Sequence, residues 1–105
     1  MTNAALFVRL EAKPGKERDV EQLLRSGLQM VENEPDTISW HAIRMGYSVF
    51  GIFDTFPDDA AMQAHLTGEL AKTLMAKASQ LLVHPPTIEK ADVLAVKLPE
   101  PEHAF

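Results

Sequence analysis

Cysteine is absent from this 105-residue chain, which excludes disulfides, thiolate zinc sites and cysteine nucleophiles together. Basic charge is in deficit. Ten Lys and Arg stand against 15 Asp and Glu, a formal net charge of -5, the wrong sign for a surface that gathers phosphates, so no nucleic acid partner is expected. Long hydrophobic runs are missing too: nowhere do about 18 apolar residues follow one another, and the N-terminal residues show no basic segment leading into an apolar stretch. The expectation is a soluble cytoplasmic protein without a membrane partner. No G-x-G-x-x-G, G-x-x-x-x-G-K-[ST] or G-x-S-x-G pattern occurs, which removes the common phosphate loops and the strained serine elbow. His41, His65, His84 and His103 are too dispersed for a local metal motif, and no metal site is expected.

What is present suffices for one core, since 46% of the residues are hydrophobic and the length allows a single domain. Its expected extent is 1–98, with a proline-rich tail over 99–105. Residues 4–12 alternate, Leu6, Val8 and Leu10 against Phe7, Arg9 and Glu11, the period of a half-buried strand. Lys13-Pro14-Gly15 ends it. Val20, Leu23, Leu24, Leu28 and Val31 then recur at helical spacing, predicting a helix over 16–33 that Pro35 stops. Gly27 within it marks a weak point or a close approach.

Residues 37–45 and 48–56 are rich in aromatic and β-branched side chains and read as a hairpin. Gly46-Tyr47 as a two-residue type II′ loop sets Trp40 opposite Phe53, Ala42 opposite Gly51, His41 opposite Ile52 and Ile43 opposite Phe50. Asp58 is the expected cap of a second helix, which carries Met62, His65 and Leu66 on one face and is interrupted at Thr67-Gly68. Leu70, Leu74, Ala78, Leu81 and Leu82 continue the stripe, and a last strand spans 87–98. The order strand, helix, strand, strand, helix, strand is that of an α+β, ferredoxin-like βαββαβ domain, with a four-stranded antiparallel sheet and its helices on one face. The third strand offers Val49, Gly51 and Phe53 on one side and Phe50, Ile52 and Phe56 on the other. Apolar surface is therefore left uncovered whichever face the helices take, and a homodimer is the expected remedy.

Three residues stand out for chemistry. His65 is aimed inward, and an inward imidazole needs a partner; the structural reading is a hydrogen bond to a carbonyl or to Glu69 one turn on, the functional one a proton acceptor that titrates near neutral pH. Trp40 is the single tryptophan, either core filling or a flat wall beside small Ala42 and Gly51. Asp54 lies among aromatic residues in a central strand and calls for a counter-charge, for which Arg9, Arg44 and Lys90 are the candidates. Met30, Met45, Met62 and Met75 read as core gap-fillers.

Lys13-Pro14-Gly15-Lys16 before the first helix, Phe50 to Phe56 as the third strand, and above all Asp58-Asp59-Ala60-Ala61-Met62-Gln63-Ala64-His65-Leu66 resemble the antibiotic biosynthesis monooxygenase family. The resemblance spans roughly 6–96 and implies a dimeric α+β barrel formed by two sheets. Characterised members oxidise aromatic polyketides such as anthrones and related quinols without metal or flavin, and one branch degrades haem. Against that branch His65 stands in place of a tryptophan, Met75 in place of the haem-ligating histidine, and Val8 at or beside an asparagine. The resemblance thus implies no haem and no other cofactor. The expected site has His65 at the proton, Trp40, Phe53 and Phe56 as an aromatic wall, and Met62, Leu66 and Val8 as apolar lining. The resulting reading is a cofactor-independent monooxygenase acting on a small aromatic hydroxyl compound. The alternative is a non-enzymatic dimer that binds a small molecule or serves structurally.

Overall fold

A computed structural model describes residues 2–99; of the expected tail, residues 100–105 lie outside the described residues. The chain runs β1 (Ala4–Glu11), α1 (Glu17–Glu32), β2 (Ser39–Arg44), β3 (Val49–Phe56), α2 (Asp59–Leu66), α3 (Glu69–Leu81) and β4 (Thr87–Asp92). The four strands form one open antiparallel sheet in the order β2-β3-β1-β4, the expected βαββαβ arrangement with its second helix divided in two.

Local chemistry places the boundaries. Lys16 N donates to Lys13 O at 2.9 Å and Gly15 takes φ +87°, so Pro14-Gly15 occupies the centre of a turn that needs a positive φ at its third position. Asp58 is extended and its carboxylate accepts from Ala61 N at 2.9 Å, capping α2. β4 ends at Asp92, short of the expected 98, because Asp92 pairs with Ala4, the first residue of β1. One backbone bond follows, from Val93 N to Asn3 O at 2.9 Å, and Leu94 is exposed.

The β2-β3 hairpin corrects the expected register by one residue. Met45 N donates to Val49 O at 2.8 Å, closing a loop over 46–48, and Gly46 does not take the positive φ that a type II′ turn requires. Trp40 therefore pairs with Asp54, His41 with Phe53, Ala42 with Ile52 and Ile43 with Gly51. Because side chains alternate, this one-residue change moves Phe53 to the face opposite Trp40.

The helices cover the face bearing Leu6, Val8, Leu10, Phe50, Ile52, Asp54 and Phe56. One cluster packs Val8, Leu10, Phe50 and Ile52 under Val20, Leu24, Leu74 and Ala78; another packs Ala4, Leu6 and Phe56 under Ala61 and Met62. On α1 the buried row is Val20, Leu24, Gly27 and Val31, while the expected core residue Leu28 is exposed. Gly27 is there for space: a Cβ would lie 3.1 Å from Leu70 Cδ1 and 3.4 Å from the Trp40 ring.

Among the described residues no helix covers the other face. Ile43, Met45 and Phe53 are 42%, 45% and 40% exposed, and they join Phe7 around Gly51, where a Cβ would meet Phe7, Ile43 and Met45 at 3.2–3.3 Å. No helix among the described residues is long and apolar enough to cross a membrane.

Candidate active site

α2 carries His65 inward because Ala61, Met62 and His65 fall on one helical face. The imidazole is buried and held from both sides by acids. Nδ1 lies 2.6 Å from Glu34 Oε1 and Nε2 lies 2.7 Å from Asp54 Oδ2. The Phe56 ring packs tilted against it, 5.2 Å between centroids. Neither expected partner is used: the histidine finds not Glu69 but two carboxylates distant in sequence, and Asp54 finds not a basic residue but His65. Arg44 instead pairs with Glu21 at 3.3 Å and stacks over Phe50. Arg9 is exposed on the helix-free face, and Lys90 pairs with Leu6, one strand removed from Asp54.

The three acid-base groups grade from interior to surface, with side-chain exposures of 1% for Asp54, 8% for His65 and 21% for Glu34. Glu34 Oε1 also accepts from Thr37 Oγ1 at 2.8 Å. A Cβ on Gly68, at the start of α3, would come within 3.0 Å of Glu34 Oε2, so the glycine that interrupts the second helix leaves room for this carboxylate. Desolvation by burial pushes the His65 pKa down, but the hydrogen bonds and charges of Asp54 and Glu34 outweigh it and hold the value above the ordinary 6.5.

Asp54 is less well served than its histidine contact suggests. Oδ2 faces His65 Nε2 at 2.7 Å, but Oδ1 is buried and has no hydrogen-bond partner among the described residues. Trp40 Nε1, on the neighbouring strand, is likewise buried and has no hydrogen-bond partner among the described residues.

One flank of His65 borders an apolar cavity of about 80 Å³ lined by Leu6, Val8, Ile52, His65, Leu66, Leu70, Ala71, Leu74, Met75, Pro86 and Ile88. The other borders the surface cleft that holds Glu34 and Thr37. Of the expected site residues, the cavity gathers His65, Val8 and Leu66. Phe56 and Met62 pack behind it in the Ala4 and Leu6 cluster, Trp40 lies against Gly27, and Phe53 is excluded because it is on the far side of the sheet. Met75, expected to fill the core, is 56% exposed at the cavity's edge. Glu34 was not anticipated; the signal available was that an inward histidine and a buried aspartate each required a partner. No group of three or more potential metal ligands occurs among the described residues.

The fold that carries the site is shared with known proteins. A protein of unknown function from Nitrosomonas europaea is 51% identical, with 96% of this chain and 98% of that one covered and a TM-score of 0.93. A Pseudomonas aeruginosa protein is 23% identical, with 90% and 97% covered and a TM-score of 0.78. A structure described as an antibiotic biosynthesis monooxygenase is 18% identical, with 88% and 99% covered and a TM-score of 0.77; at that identity the likeness is one of fold. No curated protein matches the chain. The family model described as antibiotic biosynthesis monooxygenase matches residues 4–77, which contain Glu34, Trp40, Asp54 and His65, and the chain belongs to that family.

Proposed function

We propose that this protein is a cofactor-independent monooxygenase that oxidises a small aromatic hydroxyl compound in the cavity beside His65. The observation that carries the reading is a buried imidazole, tied to two carboxylates, at the wall of an otherwise apolar cavity on this family's fold. Oxidation without a cofactor needs an electron-rich anion, made by taking a proton from a phenolic hydroxyl where water is excluded. His65 takes up that proton, and Val8 and Leu66 belong to the wall that keeps water out. The volume of about 80 Å³ is near half of the roughly 150 Å³ that encloses benzene in an engineered core. A single-ring quinol, admitted by movement of half-exposed Met75 and Ile88, therefore fits better than a fused anthrone.

The protein acts as a homodimer that pairs the helix-free sheet faces, because Phe7, Ile43, Met45 and Phe53 form an apolar patch there. The second reading is a dimeric small-molecule-binding or structural protein of the same fold. It is favoured by both ring nitrogens of His65 already facing carboxylates. Oxygen uptake with a panel of quinols and anthrones separates the two. Uptake above the buffer rate, reduced by two to four orders of magnitude in His65→Gln, supports the monooxygenase. Equal uptake by both proteins, or none by either, leaves the second reading.

A further inference from the structure

We infer that Trp40 Nε1 and Asp54 Oδ1 together form a hydroxyl-binding position, with Asp54 taking the proton of the bound hydroxyl and the His65–Glu34 pair carrying it to the surface. This rests on the reading of the cavity as a substrate site. It goes further by naming the polar groups that would recognise the substrate.

The argument begins with two unsatisfied groups of complementary kind. Trp40 Nε1 can only donate and Asp54 Oδ1 can only accept, both are buried, and neither has a hydrogen-bond partner among the described residues. Buried polar atoms are seldom left so, since each has given up its hydrogen bonds to water without gaining one in return. Trp40 and Asp54 are directly paired across β2 and β3 and face the same side of the sheet. A hydroxyl both accepts and donates, so one hydroxyl answers both needs; a carboxylate would be repelled by Asp54, and a hydrocarbon would answer neither.

The neighbours of this position are the cavity's own walls. Leu6 pairs with Asp54 from β1, Ile52 stands two residues along β3, His65 contacts the carboxylate, and Leu70 shares the space over Gly27 with the Trp40 ring. All four line the cavity. Trp40 and Asp54 stand behind these walls and not in the lining itself, so a ring with its apolar body among Leu6, Ile52 and Leu70 reaches them with its hydroxyl as those side chains give way toward β2.

The proton then has a continuous route. The substrate O–H bond breaks, leaving the electron pair on oxygen, and the proton passes to the Asp54 carboxylate. Asp54 delivers it to neutral His65 at Nε2, 2.7 Å away, and Nδ1 releases a proton to Glu34 at 2.6 Å, whose carboxylate reaches water. Glu69 and Asp36 border the same cleft as Glu34 and are the other charged groups at its mouth. No oxidant takes part in this transfer, which precedes any reaction with oxygen.

Binding of phenol and toluene under argon tests the position apart from turnover. Phenol is expected to bind at least about tenfold more tightly than toluene and to move the single indole N–H resonance, which toluene leaves in place. Trp40→Phe, which keeps a ring and loses the donor, should weaken phenol about tenfold with toluene unchanged. In Asp54→Asn the phenol preference should also shrink. Equal affinity for the two probes, an indole resonance that ignores phenol, or no binding of either probe would overturn the inference. Selective phenol binding without oxygen uptake would uphold it and defeat the monooxygenase reading instead.

Discussion

Replacing His65 by Ala tests whether the Asp54–His65–Glu34 line holds charge inside the protein. Among the described residues His65 is the sole ionic partner of Asp54, a residue that is 0% exposed. Removing one member of a buried pair strands the other and costs about 3–5 kcal/mol. For a chain of this size each kcal/mol lowers the melting temperature by about 4–8 °C, so His65→Ala should melt roughly 12 °C or more below wild type. The comparison is made at fixed protein concentration, since the stability of the proposed dimer would depend on it. Adding Asp54→Leu should restore much of the loss, because the stranded charge is then gone. The pH dependence has a definite sign. The folded pKa of His65 is held above the ordinary 6.5, so its ionic contribution is fully present below about 6.5 and is lost as pH rises through the folded value. Thermal unfolding at pH 6 and pH 9 should therefore show a larger gap between wild type and His65→Ala at pH 6. A variant melting within about 4 °C of wild type at pH 6, or no recovery in the double variant, would refute the reasoning.

Gly68→Ala should push Glu34 off His65, because its Cβ falls 3.0 Å from Oε2; an NMR titration of the imidazole should then show a pKa moved down toward 6.5, and an unmoved value would count against the role of Glu34. Phe53→Asp should yield a folded monomer, since Phe53 is 40% exposed on the helix-free face, whereas Phe50→Asp should unfold the chain, since Phe50 lies in the core at 2%. Light scattering and circular dichroism together distinguish these outcomes.

The element order, the capping of α2 by Asp58, the Pro14-Gly15 turn and the break at Thr67-Gly68 were legible in the sequence because each depends on the chemistry of a few adjacent residues. The inward aim of His65 was legible for the same reason, as helical spacing alone sets it. The hairpin register was not. A three-residue loop and a two-residue loop differ by one position, local letters permit either, and the choice decides whether Trp40 shares its face with Phe53 or with Asp54. Partner identity was also beyond reach. Glu34 follows α1 and lies 31 residues before His65, and no spacing rule joins them. Only the packing of α2 and the α1–β2 connection over the sheet brings a carboxylate to each imidazole nitrogen. The sequence by itself determined that a histidine and an aspartate would be buried and in need of partners. Tertiary structure decided that they pair with each other, because the energy of a buried charge depends on what lies within a few ångströms of it in space and not along the chain.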